Sequence, residues 1–257
     1  MEDVKTIWLT GATSGIGRAM AARFVREGKQ VALTSRSVDA LDALAAELIA
    51  SDQALVFPTD VSDDAAVTAT YAAVKNAMGV PDMVIANAGT HINMPAGEIT
   101  MAGCRSLIEI NLLGGLATLL APLPDMLERG SGHLVGVGSL SSYRGLPLAA
   151  AYGASKAGLN NFLQSLRFDV ETHGLKVTAV NPGFVKTPLT DRNTYPMPFI
   201  ISAEKATDYI WDGLEKGKME IHFPPAFSWT CKLLRILPYG LYHALVRRFT
   251  GSAGRKG

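Results

Sequence analysis

A tyrosine and a lysine four positions apart, Tyr152 and Lys156, are the residues of this sequence best suited to move a proton. On a helix, side chains at this spacing share one face. A free tyrosine has a pKa of about 10, and a nearby ammonium group lowers that pKa because it stabilises the phenolate. The pair therefore predicts a general acid for carbonyl reduction, or a general base for alcohol oxidation. The alternative is a half-buried tyrosine beside a surface lysine, since this spacing is common by chance.

A serine thirteen residues before the tyrosine, Ser139, follows a predicted strand at residues 132–138. Its hydroxyl group could polarise a substrate oxygen at the point where negative charge develops. Ser141 and Ser142 come directly after it. On physical grounds alone, all three serines remain candidates for this role.

A glycine-rich turn follows the first predicted strand, with the spacing G-x-x-x-G-x-G. Glycines let the backbone approach a pyrophosphate, and the N-terminus of the next helix supplies N–H donors and a favourable dipole. Such a turn can also be only a tight connection, but the strand before it and the helix after it favour phosphate binding. The candidate phosphate-binding residues are Gly11, Thr13, Ser14, Gly15, Ile16 and Gly17.

The second predicted strand ends in Ser35-Arg36-Ser37, without the acid that would accept a hydrogen bond from a ribose 2′-OH. Arg36 could instead bind a 2′-phosphate through its planar guanidinium, with Ser35 or Ser37 adding a hydroxyl group. The sequence therefore favours NADP over NAD as the cofactor. The alternative for Arg36 is a solvated surface arginine.

Two further turns follow the third and fourth predicted strands: Thr59-Asp60-Val61 and Asn87-Ala88-Gly89. Ligands of open parallel sheets bind at the carboxyl ends of the strands, where these turns would lie. Asp60 could accept a hydrogen bond from an adenine amino group, or it could only help to begin the next helix. Gly89 could give the cofactor room, or it could be an ordinary turn glycine.

The elements that must position these residues alternate between short apolar runs and longer helical stretches. Strands are predicted at residues 6–10, 30–35, 54–57, 82–86, 132–138, 176–181 and 219–223. Helices are predicted at 15–27, at 38–50 after a Ser37 cap, after a Ser62 cap, and at 98–128, 149–173 and 202–216. This alternation predicts an α/β fold: a doubly wound parallel sheet (Rossmann fold) of about seven strands with helices on both faces. Residues 1–257 are expected to form one domain, since no polar linker divides them.

Three regions are expected to contact the substrate: residues 90–96, 140–147 and 188–201, the last within a mobile loop at 186–202. Their composition is mainly apolar, which indicates a hydrophobic carbonyl or alcohol. We interpret His91 as a polar loop residue, because Tyr152 already fills the proton-transfer role. The other notable side chains are Met94, Tyr143, Arg144, Tyr195, Met197 and Phe199.

The C-terminal segment, residues 224–250, is apolar and basic, and it predicts two short amphipathic helices broken at Pro238. We favour the interpretation that this extension packs on the substrate pocket or on a second subunit. The alternative is contact with a membrane surface through residues 226–250, because basic residues mixed with Trp, Tyr and Leu are typical of surface-lying helices.

The formal net charge of +1 disfavours nucleic acid as a partner. Cys104 and Cys231 lie far apart, so neither a disulfide framework nor a metal site is expected. The acidic start, Met1-Glu2-Asp3, is untypical of a signal peptide, and no uncharged apolar run reaches the roughly 18 residues of a membrane span. We therefore expect a cytoplasmic protein.

Taken together, these motifs resemble the short-chain dehydrogenase/reductase family in its classical type. The resemblance covers roughly residues 5–190, and its motifs, each weak alone, follow the family's order. The spacing between Ser139 and Tyr152 also matches the family, which favours Ser139 over its two neighbours. The matching residues are Thr10 to Gly17, Asp60-Val61, Asn87-Ala88-Gly89, Asn111, Ser139, Tyr152 with Lys156, and Pro182-Gly183 leading to Thr187.

The resemblance implies a catalytic set of Asn111, Ser139, Tyr152 and Lys156. Asn111 would hold a water molecule in a proton relay from Lys156, which would also bind the nicotinamide ribose. It further implies hydride transfer at the pro-S face of the nicotinamide, and a homodimer or homotetramer built on the helices at 98–128 and 149–173. The nicotinamide carboxamide would be held by Val185 and Thr187, with the ring placed by Pro182 and Gly183.

Two other functions remain open at this stage. One is a binding or regulatory protein that only senses NADP, since a fold alone does not decide function. The other is a peripheral membrane enzyme of this family that acts on lipids.

Overall fold

The computed structural model describes residues 1–48, 53–193 and 196–250. Within them, seven parallel strands form one sheet in the order β3-β2-β1-β4-β5-β6-β7. The order reverses between β1 and β4, which opens a crevice at the carboxyl ends of these strands. The predicted doubly wound parallel sheet is thereby confirmed. The strands are β1 (Thr6–Thr10), β2 (Gln30–Ser35), β3 (Ala54–Pro58), β4 (Met83–Ala86), β5 (Gly132–Val137), β6 (Leu175–Pro182) and β7 (Glu220–Phe223).

Helices cover both faces of the sheet, because the strands are apolar on both sides. In β1, Ile7 and Leu9 belong to one buried cluster, whereas Trp8, between them, belongs to a second. This is the two-residue alternation of a strand that is buried on both faces. The helices are α1 (Gly15–Arg26), α2 (Val38–Glu47), α3 (Asp64–Met78), α4 (Met101–Ile108), α5 (Gly114–Leu120), α6 (Leu123–Arg129), α7 (Ala150–Val170), α8 (Ala203–Glu215), α9 (Pro225–Arg235) and α10 (Tyr239–Phe249).

The long helix predicted at residues 98–128 corresponds to a helical span at Met101–Arg129 that the structure subdivides. A π-helical turn at Glu109–Leu113 separates α4 from α5, and a break at Pro122 separates α5 from α6. Proline lacks the N–H that would continue the helical hydrogen bonds, which accounts for the second break. By length and hydropathy, Met101–Arg129 would suit a membrane span. However, Leu107, Leu119 and Met126 are fully buried in the protein's own apolar clusters, as in the core helix of a globular fold.

The cap predicted for the third helix is also corrected. Asp63, and not Ser62, caps α3, because its side chain accepts a hydrogen bond from the Ala66 N–H at 3.0 Å. Ser62 lies one residue before the cap position, and its N–H and hydroxyl both donate to Asp60. The predicted cap of α2 is confirmed, since Ser37 Oγ accepts from the Ala40 N–H at 3.2 Å. The residues predicted to extend α2 to position 50 lie partly outside the described ranges.

Candidate active site

The glycine turn between β1 and α1 packs directly against the turn that follows β4. A Cβ atom on Gly11, whose φ is +67°, would lie 2.7 Å from the Ala88 Cα. A Cβ atom on Gly17 would lie only 2.0 Å from the Gly11 carbonyl oxygen. Asn87 Nδ2 donates to the carbonyls of Thr10 and Gly11, both at 3.1 Å. The two turns therefore form one unit at the carboxyl edge of the sheet, and their close approach requires glycine.

The N-terminus of α1 has the features of an anion-binding site. Its N-cap residue, Ser14, makes no side-chain capping bond within the described residues, and the first turn contains no acid. The first N–H groups and the helix dipole therefore suit a phosphate. A Cβ atom on Gly15 would lie 2.8 Å from Thr187 Cγ2, so the segment after β6 reaches this turn. Ile16, the second residue of α1, is partly buried and packs against the core.

The residues predicted to distinguish NADP from NAD lie at the end of β2, near the glycine turn after β1. Thr13 Oγ1 and Ser35 Oγ share a hydrogen bond of 2.9 Å, and the exposed Arg36 follows Ser35. Hydrogen bonds from the Ser62 N–H and hydroxyl, with a smaller contribution from Arg36, hold the pKa of Asp60 below its usual value. Both Ser62 donors reach Asp60 Oδ1. Asp60 therefore shapes the turn before α3.

Lys156 is buried close to the carboxyl end of β5. Lys156 Nζ donates to the carbonyl of Val137, the last residue of β5, at 2.8 Å. Burial lowers the pKa of Lys156 to about 8. Tyr152 lies one turn earlier on α7 and packs partly against Met94 and Leu107. The edge of the His91 ring meets the Tyr152 ring, with 4.5 Å between ring centroids. His91 thus contacts the tyrosine directly, beyond its predicted role as a polar loop residue.

The π-helical turn places an asparagine beside the lysine. Asn111 Oδ1 accepts from the Thr90 N–H at 2.7 Å, and its Nδ2 donates to the Thr90 carbonyl at 2.9 Å and to Ser155 Oγ at 3.1 Å. A Cβ atom on Gly89 would lie 3.2 Å from both Asn111 Oδ1 and Lys156 Nζ. The two polar groups therefore converge on a single point next to Gly89, which only a glycine leaves open.

The three candidate serines have different contacts. Ser139 Oγ accepts from the Ser141 N–H at 3.1 Å and from the Ser141 hydroxyl at 2.9 Å. Ser142 Oγ donates to the Ser139 carbonyl and accepts from Asn160 Nδ2. The hydroxyl groups of Ser141 and Ser142 thus hold the loop in place, and both point back to Ser139.

The segment predicted to bind the nicotinamide follows β6, and several close contacts hold it in place. The Gly183 N–H donates to the Phe223 carbonyl at 2.7 Å, and a Cβ atom on Gly183 would lie 2.9 Å from the Phe227 ring. Val185 is buried, and its carbonyl accepts from Thr190 Oγ1 at 2.7 Å. The Thr187 N–H donates to the same hydroxyl oxygen at 3.0 Å. Thr190, which the sequence did not single out, therefore fixes this segment.

The first and third predicted substrate regions contact each other, and the first also contacts the residue that follows the second. The Met94 N–H donates to the Leu148 carbonyl at 3.4 Å, and Asn93 Nδ2 donates to Asn193 Oδ1 at 3.1 Å. Phe199 has a φ of +59° and stacks on Phe227 of α9. Tyr195 lies outside the described residues.

The C-terminal segment contacts residues 140–147, the second predicted substrate region, through Arg144. Arg144 Nη1 donates to the carbonyls of Leu234, Arg235 and Leu237 at 3.1, 3.1 and 2.6 Å. This interaction satisfies acceptors that the end of α9 leaves free. The Tyr242 hydroxyl also donates to the Gly145 carbonyl at 2.6 Å. The helices after β7 thus pack on residues 144–145, within the second region predicted to contact the substrate.

A second connection between α9 and the loop after β5 is centred on Glu220. The sequence analysis missed it. Glu220 accepts hydrogen bonds from Tyr143, from Asn181 Nδ2 at 3.0 Å and from Lys232 Nζ at 2.7 Å. Burial alone would raise the pKa of Glu220, but these hydrogen bonds outweigh burial and hold the pKa below its usual value. The partners lie up to 77 positions away in the chain, so no local pattern could have indicated them.

Comparisons with known proteins agree with this geometry. The family model described as short chain dehydrogenase matches residues 5–196. The chain is 39% identical over 246 residues to an uncharacterized oxidoreductase of Myxococcus xanthus, covering 95% of this chain and 97% of the relative. A short-chain dehydrogenase from Streptomyces avermitilis is 26% identical, with a TM-score of 0.81 and coverage of 99% of this chain and 100% of that one.

An alcohol dehydrogenase from Thermococcus sibiricus, solved in complex with 5-hydroxy-NADP, is 26% identical with a TM-score of 0.77. The alignment covers 85% of this chain and 95% of that protein. The family model spans most of the sequence, and strands β1 to β6 and both turns lie within the matched region. The chain therefore belongs to the short-chain dehydrogenase/reductase family of oxidoreductases.

Proposed function

We propose that this protein is an NADP-dependent oxidoreductase that transfers a hydride between nicotinamide and the carbonyl or alcohol of a hydrophobic substrate. The observation that carries the proposal is the convergence of Lys156 Nζ and Asn111 Oδ1, each 3.2 Å from the same point beside Gly89. A buried ammonium group and an amide oxygen, one helical turn from a tyrosine, form a site for moving a proton.

Tyr152 donates its phenolic proton to the substrate oxygen in reduction and accepts a proton in oxidation. Lys156 is charged at neutral pH because its pKa of about 8 lies above 7, and its charge stabilises the phenolate. Asn111 holds a water molecule that links Lys156 to solvent. Ser139 donates to the substrate oxygen while Ser141 and Ser142 hold its loop. When bound, NADP supplies or receives the hydride.

The glycine turn and the α1 N-terminus fit the pyrophosphate of NADP. Three observations support this assignment: the side-chain-free backbone at Gly11 and Gly17, the uncapped α1 N-terminus, and the absence of an acid in the first helical turn. For the 2′-phosphate, the guanidinium of Arg36 supplies charge, and Thr13 with Ser35 supplies hydroxyl groups. The complex of the Thermococcus relative with 5-hydroxy-NADP is consistent with a nicotinamide cofactor of this type.

The test is NADPH oxidation by the purified protein with a panel of hydrophobic ketones and aldehydes, in wild type and Tyr152→Phe. We expect turnover in the wild type, and a loss of about 10²–10⁴-fold in the variant with NADPH binding retained. Equal turnover in both proteins would contradict the mechanism. Binding of NADPH by the wild type without turnover on any substrate would instead favour an NADP-sensing protein.

We further propose that the protein is cytoplasmic and forms a homodimer or homotetramer. Cell fractionation tests the location, and light scattering tests the oligomeric state.

A further inference from the structure

The outer face of the C-terminal helices carries an apolar stripe that the described residues leave uncovered. Trp229, Leu233 and Ile236 are 63%, 63% and 76% exposed. Their positions, i, i+4 and i+7, place them on one side of α9 and its C-terminus. Tyr239 and Leu241, at the start of α10, are also exposed, by 78% and 50%. Contiguous apolar surface of this kind marks an interaction site.

The inner face of the same helices is already occupied. Ser228 is fully buried, and its hydroxyl lies 2.7 Å from His222 Nδ1. Phe227 stacks on Phe184, with 5.6 Å between ring centroids. Tyr242 is buried and bonded to the Gly145 carbonyl. The helices are therefore held against the fold on one side, while the stripe faces outward.

The charge of this part of the chain has a single sign. Residues 221–257 contain six Lys or Arg and no Asp or Glu, although the whole chain has a net charge of only +1. Lys232 is paired with Glu220. Arg235, Arg247 and Arg248 are exposed and form no ion pair with any described carboxylate. The apolar stripe thus lies in a cationic, acid-free segment.

We propose that this face docks on the surface of an anionic lipid bilayer. Tryptophan and tyrosine are favoured at the boundary between water and acyl chains, because their rings are apolar with one polar group. Leucine and isoleucine beside them insert further, and unpaired arginines attract anionic headgroups. Residues 143–147, which pack on the inner face, would then lie close to the membrane.

A second copy of this chain is a poorer occupant. In a two-fold interface the same patch supplies both sides. The arginines of one copy would then face a segment of the other copy that has no acid to pair with them. An anionic membrane removes this repulsion.

The natural tryptophans provide a direct assay that needs no enzymatic activity. Trp8 is fully buried and Trp211 is 8% exposed, so only the emission of Trp229 responds strongly to a new environment. Vesicles of equimolar phosphatidylcholine and phosphatidylserine should shift the emission to the blue and carry the protein with them in flotation. Vesicles of phosphatidylcholine alone should bind much less. Trp229→Phe should lose the spectral shift but still float.

Two variants separate the apolar and charged contributions. The triple change Trp229→Ser, Leu233→Ser and Ile236→Ser should lower the bound fraction at least tenfold, whereas Phe168→Ser, a matched loss of a 79% exposed side chain on α7, should not. Arg247→Gln with Arg248→Gln should weaken binding about fivefold for each arginine. Failure of the wild type to bind, or equal binding to both vesicle types, would overturn the proposal. If the wild type does not bind vesicles and the triple variant changes from an oligomer to a monomer in light scattering, the stripe is instead an interface between copies of this chain.

Discussion

The guanidinium of Arg144 lies over the ring of Tyr242, 4.1 Å from the ring centroid. Arg144 lies in the loop that follows Ser139, whereas Tyr242 belongs to α10, near the end of the chain. Because Arg144 also binds three carbonyls at the end of α9, one side chain holds both C-terminal helices against this loop. The C-terminal helices therefore hold one loop of the proposed substrate site in place, while their opposite face is exposed.

Replacing Arg144 by lysine should weaken this attachment. A lysine keeps the charge but loses the planar group that binds several carbonyls and stacks on tyrosine. We expect the free energy of unfolding in urea to fall by about 1–3 kcal/mol, and KM for a hydrophobic ketone to rise more than kcat falls. Arg248→Lys, at an exposed position on α10, is the matched control and should change neither. An Arg144→Lys protein with unaltered stability would show that the attachment contributes little.

Gly17→Ala tests the close packing within the glycine turn that is proposed to bind the pyrophosphate. Its Cβ atom would lie 2.0 Å from the Gly11 carbonyl oxygen, and this backbone atom can move only if the whole turn moves. NADPH affinity, measured by calorimetry, should fall at least tenfold, about 1.4 kcal/mol. Gly97→Ala is the control, because a Cβ atom there meets nothing within 4 Å. Equal NADPH affinities in the two variants would contradict a phosphate site in this turn.

The buried lysine should give stability an unusual pH dependence. The folded-state pKa of Lys156, about 8, lies below the ordinary lysine value of 10.5, so between these pH values the unfolded chain binds more protons. The free energy of unfolding should therefore rise with pH across this window, by about 3 kcal/mol in total. Lys156→Met should lack this rise and should also lose turnover. Wild type and variant are compared by urea unfolding from pH 7 to 10.5, and parallel curves would exclude a lowered pKa for Lys156.

Local sequence patterns were sufficient to predict the strands next to the proposed cofactor site. The runs 6–10 and 30–35 are apolar on both faces and end at glycine or serine, so the bounds predicted for β1 and β2 agree with the structure. The cap of α3 was misassigned because serine and aspartate cap helices about equally well. The start of α3 at Asp64 and the bond that Asp63 accepts from the Ala66 N–H decide in favour of Asp63.

Contacts between distant segments could not be predicted in this way. The π-helical turn at Asn111 brings its amide to Thr90 and Ser155, which lie 21 and 44 positions away. The hydrogen bonds of Arg144 span 90 positions or more. The break at Pro122 is different, because the proline itself was a visible signal that the helix at 98–128 would not continue.

The proposed preference for NADP depends on Arg36, which follows Ser35, whose hydroxyl group is bonded to Thr13. Losing a charged contact to the 2′-phosphate costs roughly 1.5–3 kcal/mol, so Arg36→Ala should weaken NADPH binding about ten- to a hundredfold and leave NADH binding unchanged. Arg26→Ala, which removes an exposed arginine from the last turn of α1, should change neither affinity. Both cofactors are titrated by calorimetry at low ionic strength, where a phosphate contact is least screened. If wild type and Arg36→Ala bind NADPH and NADH equally, Arg36 is a solvated surface residue, and alcohol oxidation with NAD becomes the reaction to measure.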